Sequence, residues 1–215
     1  MHLCKPKPLI FTILVVCALI MGIVFYYHYQ HPSQSAMVAN DQALMFAQGR
    51  EIKPFSLVTL ENQPFTEKNF RQHWTLLFFG FTHCLSVCPT TLSMLSEAYP
   101  ILHTQYPNLQ VVLVSLDPSR DTPVVVNQYA QQFHTDFQGV TGKLQEVRKL
   151  QAQLGIASQQ DDSTAGSNYQ IIHTSSIMLI NPRGEWVGLF KYGMGAKDFT
   201  QTYQDSMHGF GVKSA

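Results

Sequence analysis

Cys84 and Cys88, four positions apart in "HCLSVCP" (83–89), are the residues of this chain whose type and spacing best fit chemistry. Thiolates bind soft metals and attack disulfides, so the first question is what stabilises a thiolate here. Pro89 predicts a helix start, because proline suits the first helical position and drives the preceding residue out of helical conformation. Cys88 is then expected to cap the helix, with Cys84 in the loop leading into it. The partial positive charge of a helix N-terminus favours the ionised sulfur. A regular helix would hold such a pair ~5–6 Å apart at Cβ, whereas a disulfide needs ~3.5–4.5 Å. Metal ligation is looser, since each thiolate can sit ~2.3 Å from a shared ion. A loop admits both arrangements, so dithiol, disulfide and metal-bound states are all expected of the pair.

Two soft ligands rarely complete a metal site, and imidazole is the commonest addition. The chain has nine histidines. His2, His28 and His31 lie in or beside an apolar N-terminal segment. His83 adjoins Cys84 with its side chain expected to point away, and His73, His103, His134 and His208 are expected as solvated residues near element ends. His173 differs because it follows a polar stretch and immediately precedes "TSSIMLI" (174–180). Position alone favours a histidine that simply begins a strand, although a thioredoxin-like sheet would bring it near the cysteine loop. Two sulfurs with one imidazole suit Cu(I), whereas Zn²⁺ would normally demand a fourth ligand.

The elements that must position these residues follow from hydrophobic patterning. "FSLVTLENQPF" (55–65) predicts an opening hairpin, and "WTLLFFGF" (74–81) a strand covered on both faces. Leu92, Leu95, Tyr99, Leu102 and Tyr106 recur at helical spacing, with Pro100 expected to kink or divide that helix. "VVLVSL" (111–116) reads as a second buried strand. "TPVVVNQYAQQFH" (122–134) reads as a helix with a Thr cap and a first-turn Pro. Leu144, Val147, Leu150 and Leu154 mark another helix, and "SQQDDSTAGSN" (158–168) a long mobile loop. "SSIMLI" (175–180), "NPRG" (181–184) and "EWVGLFKY" (185–192) predict strand, turn and strand, and "AKDFTQTYQDSMHGF" (196–210) a closing helix. This order implies an α/β, thioredoxin-like fold: a central mixed sheet, part parallel crossover and part antiparallel hairpin, flanked by helices. Met178 is expected in the core and Met194 in an adaptable loop.

At the front, Lys5 and Lys7 precede an uncharged stretch from Leu9 to Tyr29 that ends in three tyrosines. Roughly 20 apolar residues cross a bilayer, and tyrosines favour its interface. The stretch exceeds the ~7–15-residue core of a cleaved signal peptide, so an uncleaved N-terminal transmembrane anchor is expected. Residues 1–30 are assigned to the anchor, 31–48 to a linker and 49–215 to the soluble domain. Positive charge before the span leaves that domain outside the cytoplasm, where disulfides persist. A single-pass bacterial inner-membrane protein facing the periplasm is the expectation. Cys4 and Cys17 are read as bystanders. With 14 basic and 14 acidic side chains there is no electrostatic footprint for nucleic acid.

Four features together resemble the SCO/SenC family of membrane-anchored, thioredoxin-like copper proteins, over about Phe55 to Phe210. They are "FFGFTHCLSVCPTTL" (78–92), "VLVSLDPSRDTP" (112–123), "YQIIHTSSIMLINPRGEWVG" (169–188) and the element order. The resemblance implies copper as the bound metal and Cys84, Cys88 and His173 as its ligands. It also implies a metallochaperone that delivers copper to the CuA site during cytochrome c oxidase assembly. The implied partner is the CuA-bearing subunit or another periplasmic copper protein. Asp117 matches the family's "DP" aspartate and is expected to support the site or partner docking, or else to be a plain strand-end acid. The chain departs from the family at Leu85 and Ser86, where Pro-Asp is usual, and at Ile172, where Asp often precedes the histidine. The latter leaves the orienting partner of His173 to be found. An alternative with the same sulfurs is a thiol–disulfide reductase that keeps a copper-receiving protein's cysteines reduced. A peroxidase is disfavoured, because Phe81 and Leu85 stand where peroxiredoxins have Thr or Ser three positions before the reactive cysteine.

Overall fold

The structure, a computed structural model, describes residues 8–30, 36–39, 41–161 and 169–213. They divide into two units, residues 1–35 and 36–215. The first contributes helix α1 (Pro8–Gln30), 23 residues without a charged side chain. Its side chains are described without interruption only over Thr12–Ile23, and Cys17 is exposed among them. Among the described residues no helix is long and apolar enough to cross a membrane.

The second unit is built on a seven-stranded mixed sheet in the order β1 (Ala36–Ala39), β2 (Ala43–Glu51), β11 (Glu185–Phe190), β10 (Ile177–Ile180), β5 (Trp74–Gly80), β6 (Leu109–Ser115) and β7 (Gln138–Val140). Strand β5 (Trp74–Gly80) is buried along its whole length. It runs parallel to β6 (Leu109–Ser115), which runs parallel to β7 (Gln138–Val140). On its other edge β5 pairs antiparallel with β10 (Ile177–Ile180), and β10 with β11 (Glu185–Phe190). Alternation along β5 and β6 divides the core. Leu76, Phe78, Val111 and Leu113 face α2 (Val87–Gln105), α3 (Pro123–Gln131) and α5 (Ala196–Gly209). Leu77, Phe79, Val112 and Val114 face α4 (Leu144–Gln153) and the small hairpin of β3 (Leu57–Val58) and β4 (Pro64–Phe65). Strands buried on both faces read as continuous apolar runs, which is why "WTLLFFG" announced itself. The α/β, thioredoxin-like architecture is therefore present.

Four local expectations need correction. Residues 31–48 do not form only a linker: β1 (Ala36–Ala39) and β2 (Ala43–Glu51) join the sheet beside β11, and Ala43, Met45 and Phe46 are buried. Helix α2 is neither divided nor ended by Pro100. That residue faces solvent, while Leu92, Leu95, Ala98, Tyr99 and Leu102 are buried on the opposite side. Their packing outweighs the roughly 3 kcal/mol cost of an interior proline. The same helix starts at Val87 with Ser86 as its N-cap, so Cys88 lies inside the first turn rather than before it. Pro89 still sits where its missing N–H costs no hydrogen bond. Finally, part of the expected loop 158–168 is strand β8 (Ser158–Asp161), paired antiparallel with β9 (Gln170–His173). Residues 162–168 of that loop lie outside the described residues. "SQQD" has no apolar alternation, so only its partner makes it a strand.

Candidate metal centre

Cys84 and Cys88 flank the turn by which β5 enters α2. Cys88 is fully buried, packed among Phe78, Phe81 and Leu92 in the core. Cys84 is half-buried at the edge of the same cluster, and the two are unbridged. Gly80 closes β5 beneath them. A Cβ there would lie 3.0 Å from Cys88 Sγ, 3.1 Å from Phe78 Cε1 and 3.2 Å from Leu113 Cδ1, so any larger residue would press these side chains aside.

The N-cap Ser86 makes no side-chain cap bond. Its work passes to the first cysteine: the Cys88 backbone N–H donates to Cys84 Sγ at 3.3 Å. A sulfur that caps a helix gains from being ionised. The Cys84 thiol is lowered to about 4, chiefly by hydrogen bonding with the Cys88 side chain. Burial opposes the shift, and hydrogen bonds with His173 and with the Cys88 and Ser86 backbone add to it. Cys88 moves the opposite way, pushed far above the thiol range first by its hydrogen bond with Cys84, then by burial and by the neighbouring negative charge. At neutral pH the pair is one half-exposed thiolate and one buried thiol.

His173 ends β9, and its Nε2 stands 3.8 Å from Cys88 Sγ. The ring packs edge-on against Phe78 and Phe81, with centroids 6.1 and 6.2 Å away. Its Nδ1 lies 2.9 Å from the Thr174 carbonyl oxygen. A carbonyl only accepts, so Nδ1 donates this bond and Nε2 is the nitrogen that faces the sulfurs. The orienting partner that Ile172 cannot supply is thus a backbone group one residue further on. Sequence held no signal for it, because every residue has a carbonyl.

Among the described residues, no group of three or more His, Cys, Asp or Glu is drawn tightly enough to hold a metal ion as it stands. The edge between Cys88 and His173 is nonetheless of the right size. Ligand atoms ~2.3 Å and ~2.0 Å from one ion, 120° apart, are separated by about 3.7 Å, against 3.8 Å between Cys88 Sγ and His173 Nε2. Cys84 Sγ is within hydrogen-bonding reach of both. Two sulfurs and an imidazole fit a soft monovalent ion.

Three of the other histidines have neighbours of their own. His83 is exposed, its Nδ1 3.1 Å from Thr82 Oγ1. His103 and His134 pack against Tyr99, 5.0 and 4.7 Å between centroids. Met178 is buried, and Met194 lies half-buried against the core. Asp117 is buried and bonded to Ser119, Arg120 and Tyr169. Sequence reasoning missed Asp121, wholly buried, which accepts from Thr82 N–H at 3.1 Å and Thr82 Oγ1 at 2.5 Å, two residues before Cys84. An acid buried four residues after another in "DPSRD" was the available signal.

Comparison with known proteins bears on the family and the fold. The family model described as SCO1/SenC matches residues 45–208. A Stutzerimonas stutzeri protein whose name describes it as copper-binding is 32% identical over 156 residues, 72% of this chain and 76% of its own. The crystal structure of Arabidopsis thaliana ScoI with copper bound superposes with a TM-score of 0.68 at 28% identity, covering 73% of this chain and 97% of that one. The structure of Bradyrhizobium japonicum ScoI with copper bound gives 0.64 at 28% identity, over 74% and 99%.

Proposed function

The chain belongs to the SCO1/SenC family, and we propose that it is a membrane-anchored copper chaperone of the bacterial periplasm. Its cargo is Cu(I), held by Cys84, Cys88 and His173 and passed to the CuA-bearing subunit of cytochrome c oxidase or to another periplasmic copper protein. The observation that carries this reading is the approach of His173 Nε2 to Cys88 Sγ, with Nδ1 engaged by a carbonyl. A histidine held that way serves as a ligand rather than as a surface charge. The copper-bound relatives support the choice of metal. The uncharged run from Leu9 to Tyr29, behind Lys5 and Lys7, supports the anchor.

Binding sets two thiolates and an imidazole around the ion, with the Cys88 proton released. The half-exposed Cys84 is where an incoming ligand of the recipient can reach the ion first. Delivery then proceeds by exchange, each ligand of the chaperone leaving as one of the recipient's arrives. Competition of the reduced protein against a chromogenic Cu(I) chelator tests the reading: one tightly bound ion, and weaker binding in His173→Ala. Equal affinity in the two proteins would reject His173 as a ligand.

The division of the pair into a thiolate and a buried thiol favours a second reading, thiol–disulfide reduction. Cys84 would attack one sulfur of a recipient's disulfide and release the other as thiolate. Cys88, losing its proton, would then attack Cys84 Sγ and free the second recipient thiol. Two electrons pass to the recipient and the Cys84–Cys88 disulfide remains. Trapping of a mixed disulfide by Cys88→Ser, with His173→Ala still reducing at the normal rate, would favour this reading.

A further inference from the structure

The two ligand-bearing segments come from different parts of the fold. The cysteine turn belongs to the main sheet through β5, whereas His173 stands on the separate two-stranded hairpin β8–β9. One five-residue turn after β6, "DPSRD" (117–121), reaches both. On one side Asp121 accepts from Thr82 and from Ser115 Oγ at 2.6 Å, fixing the start of the cysteine turn to the end of β6. On the other side the turn grips Tyr169, which leads into β9. Arg120 Nη2 donates to the Tyr169 carbonyl at 3.0 Å, and its guanidinium carbon lies 3.6 Å above the centre of the Tyr169 ring. The Tyr169 hydroxyl donates to Asp117 Oδ1 at 2.6 Å, and Arg120 Nε pairs with the same carboxylate. One direct strut also joins the segments, Gln170 Nε2 to the His83 carbonyl at 3.2 Å.

We infer that Arg120 and Tyr169 are positioning residues: they clamp the histidine hairpin to the turn that also fixes the cysteines, and so set the sulfur–imidazole distance. A charged, partly buried clamp of this kind is stronger than neutral hydrogen bonding, and the arginine both stacks and donates, which lysine cannot reproduce. The hairpin is held to the cysteine side by side chains rather than by sheet pairing, so loss of the clamp frees His173 without unmaking the core.

The inference rests on the copper reading for its purpose, and the two are separable by experiment. In the reduced full-length protein, Arg120→Ala is expected to speed amide exchange in β9 by about tenfold or more, the worth of a charge-assisted hydrogen bond, with β6 unaltered. Cu(I) affinity falls by a similar factor, and the loss disappears in a His173→Ala background because the clamp acts only through that ligand. Tyr169→Leu, which leaves the buried turn intact, gives the same pattern and serves if Arg120→Ala does not fold. Unchanged β9 exchange in a folded variant overturns the inference, as does an equal affinity loss with and without His173. If His173→Ala alone leaves Cu(I) affinity unaltered, the copper reading fails. Faster β9 exchange would then still support the clamp, and unaltered exchange would still overturn it.

Discussion

Cys88 and His173 approach each other to 3.8 Å, yet their surroundings are opposites. Cys88 is sealed into the larger core, with Gly80 beneath it and α2 continuing from it. His173 stands on a hairpin outside the seven-stranded sheet, its strand partner a run of polar, exposed residues. The first half of the centre is set by packing, which tolerates little movement. The second is set by a few hydrogen bonds, one stacked arginine and the edge-on packing of His173 on Phe78 and Phe81, and can open locally at lower cost. A centre that must grip an ion and also surrender it needs this asymmetry: fixed sulfurs and a releasable imidazole.

The comparison can be broken most severely on the cysteine side. Cys84→Ser or Cys88→Ser removes a thiolate, and Cu(I) affinity is expected to fall by more than ~100-fold, beyond the range typical of losing a ligand's outer partner. Chelator competition measures it. His173→Ala is expected to cost less, about 10–100-fold, because the two sulfurs still hold the ion in a two-coordinate arrangement. An equal loss from all three substitutions would erase the difference between the two halves.

Gly80→Ala tests the packed half by geometry. A methyl placed 3.0 Å from Cys88 Sγ and 3.2 Å from Leu113 Cδ1 crowds the buried sulfur and its packing partners. The expected loss in urea unfolding is ~1–3 kcal/mol. Thiol alkylation followed against pH reads the same contrast between exposed and sealed sulfur. With its thiol lowered to about 4, Cys84 should alkylate at nearly constant rate from pH 8 down to about 5, where an ordinary thiol slows tenfold per unit. Cys88 should stay unmodified throughout while the protein is folded.

The smallest effect concerns the clamp. Burial would raise the Asp117 carboxyl, but hydrogen bonds from Ser119, Tyr169 and Arg120 and the guanidinium charge outweigh it and hold it below the usual range. A carboxyl lowered on folding contributes stability above its unfolded value, near ~4, and loses it as pH falls through the folded value. Asp117→Asn should therefore flatten the acid limb of the stability curve below that range, measured by urea midpoints at successive pH values. An acid limb identical to that of the unsubstituted protein would show the carboxylate to be a plain strand-end acid.

Much of the fold was legible because packing writes itself into patterns. The buried runs of β5 and β6, the Thr122 cap with Pro123, and the Gly184 turn at a φ of 82° all followed from local rules. What stayed hidden lacks a local cause. β8 exists only through pairing with β9, and β2 through pairing with β1 and β11. Pro89 suggested a helix starting two residues later than it does, because the cap bond comes from a sulfur that sequence rules do not credit. At the centre, the cysteine spacing was visible at once, whereas His173 needed a family resemblance to stand out from eight other histidines. Its orienting carbonyl and the Arg120–Tyr169 stack depend on three-dimensional approach alone.

The most direct test of the central claim is X-ray absorption at the copper edge on the reduced, Cu(I)-loaded protein and its His173→Ala variant. Two sulfurs and one nitrogen around the ion, with the nitrogen lost in the variant, is the result expected. A sulfur-only shell that is the same in both proteins would contradict it.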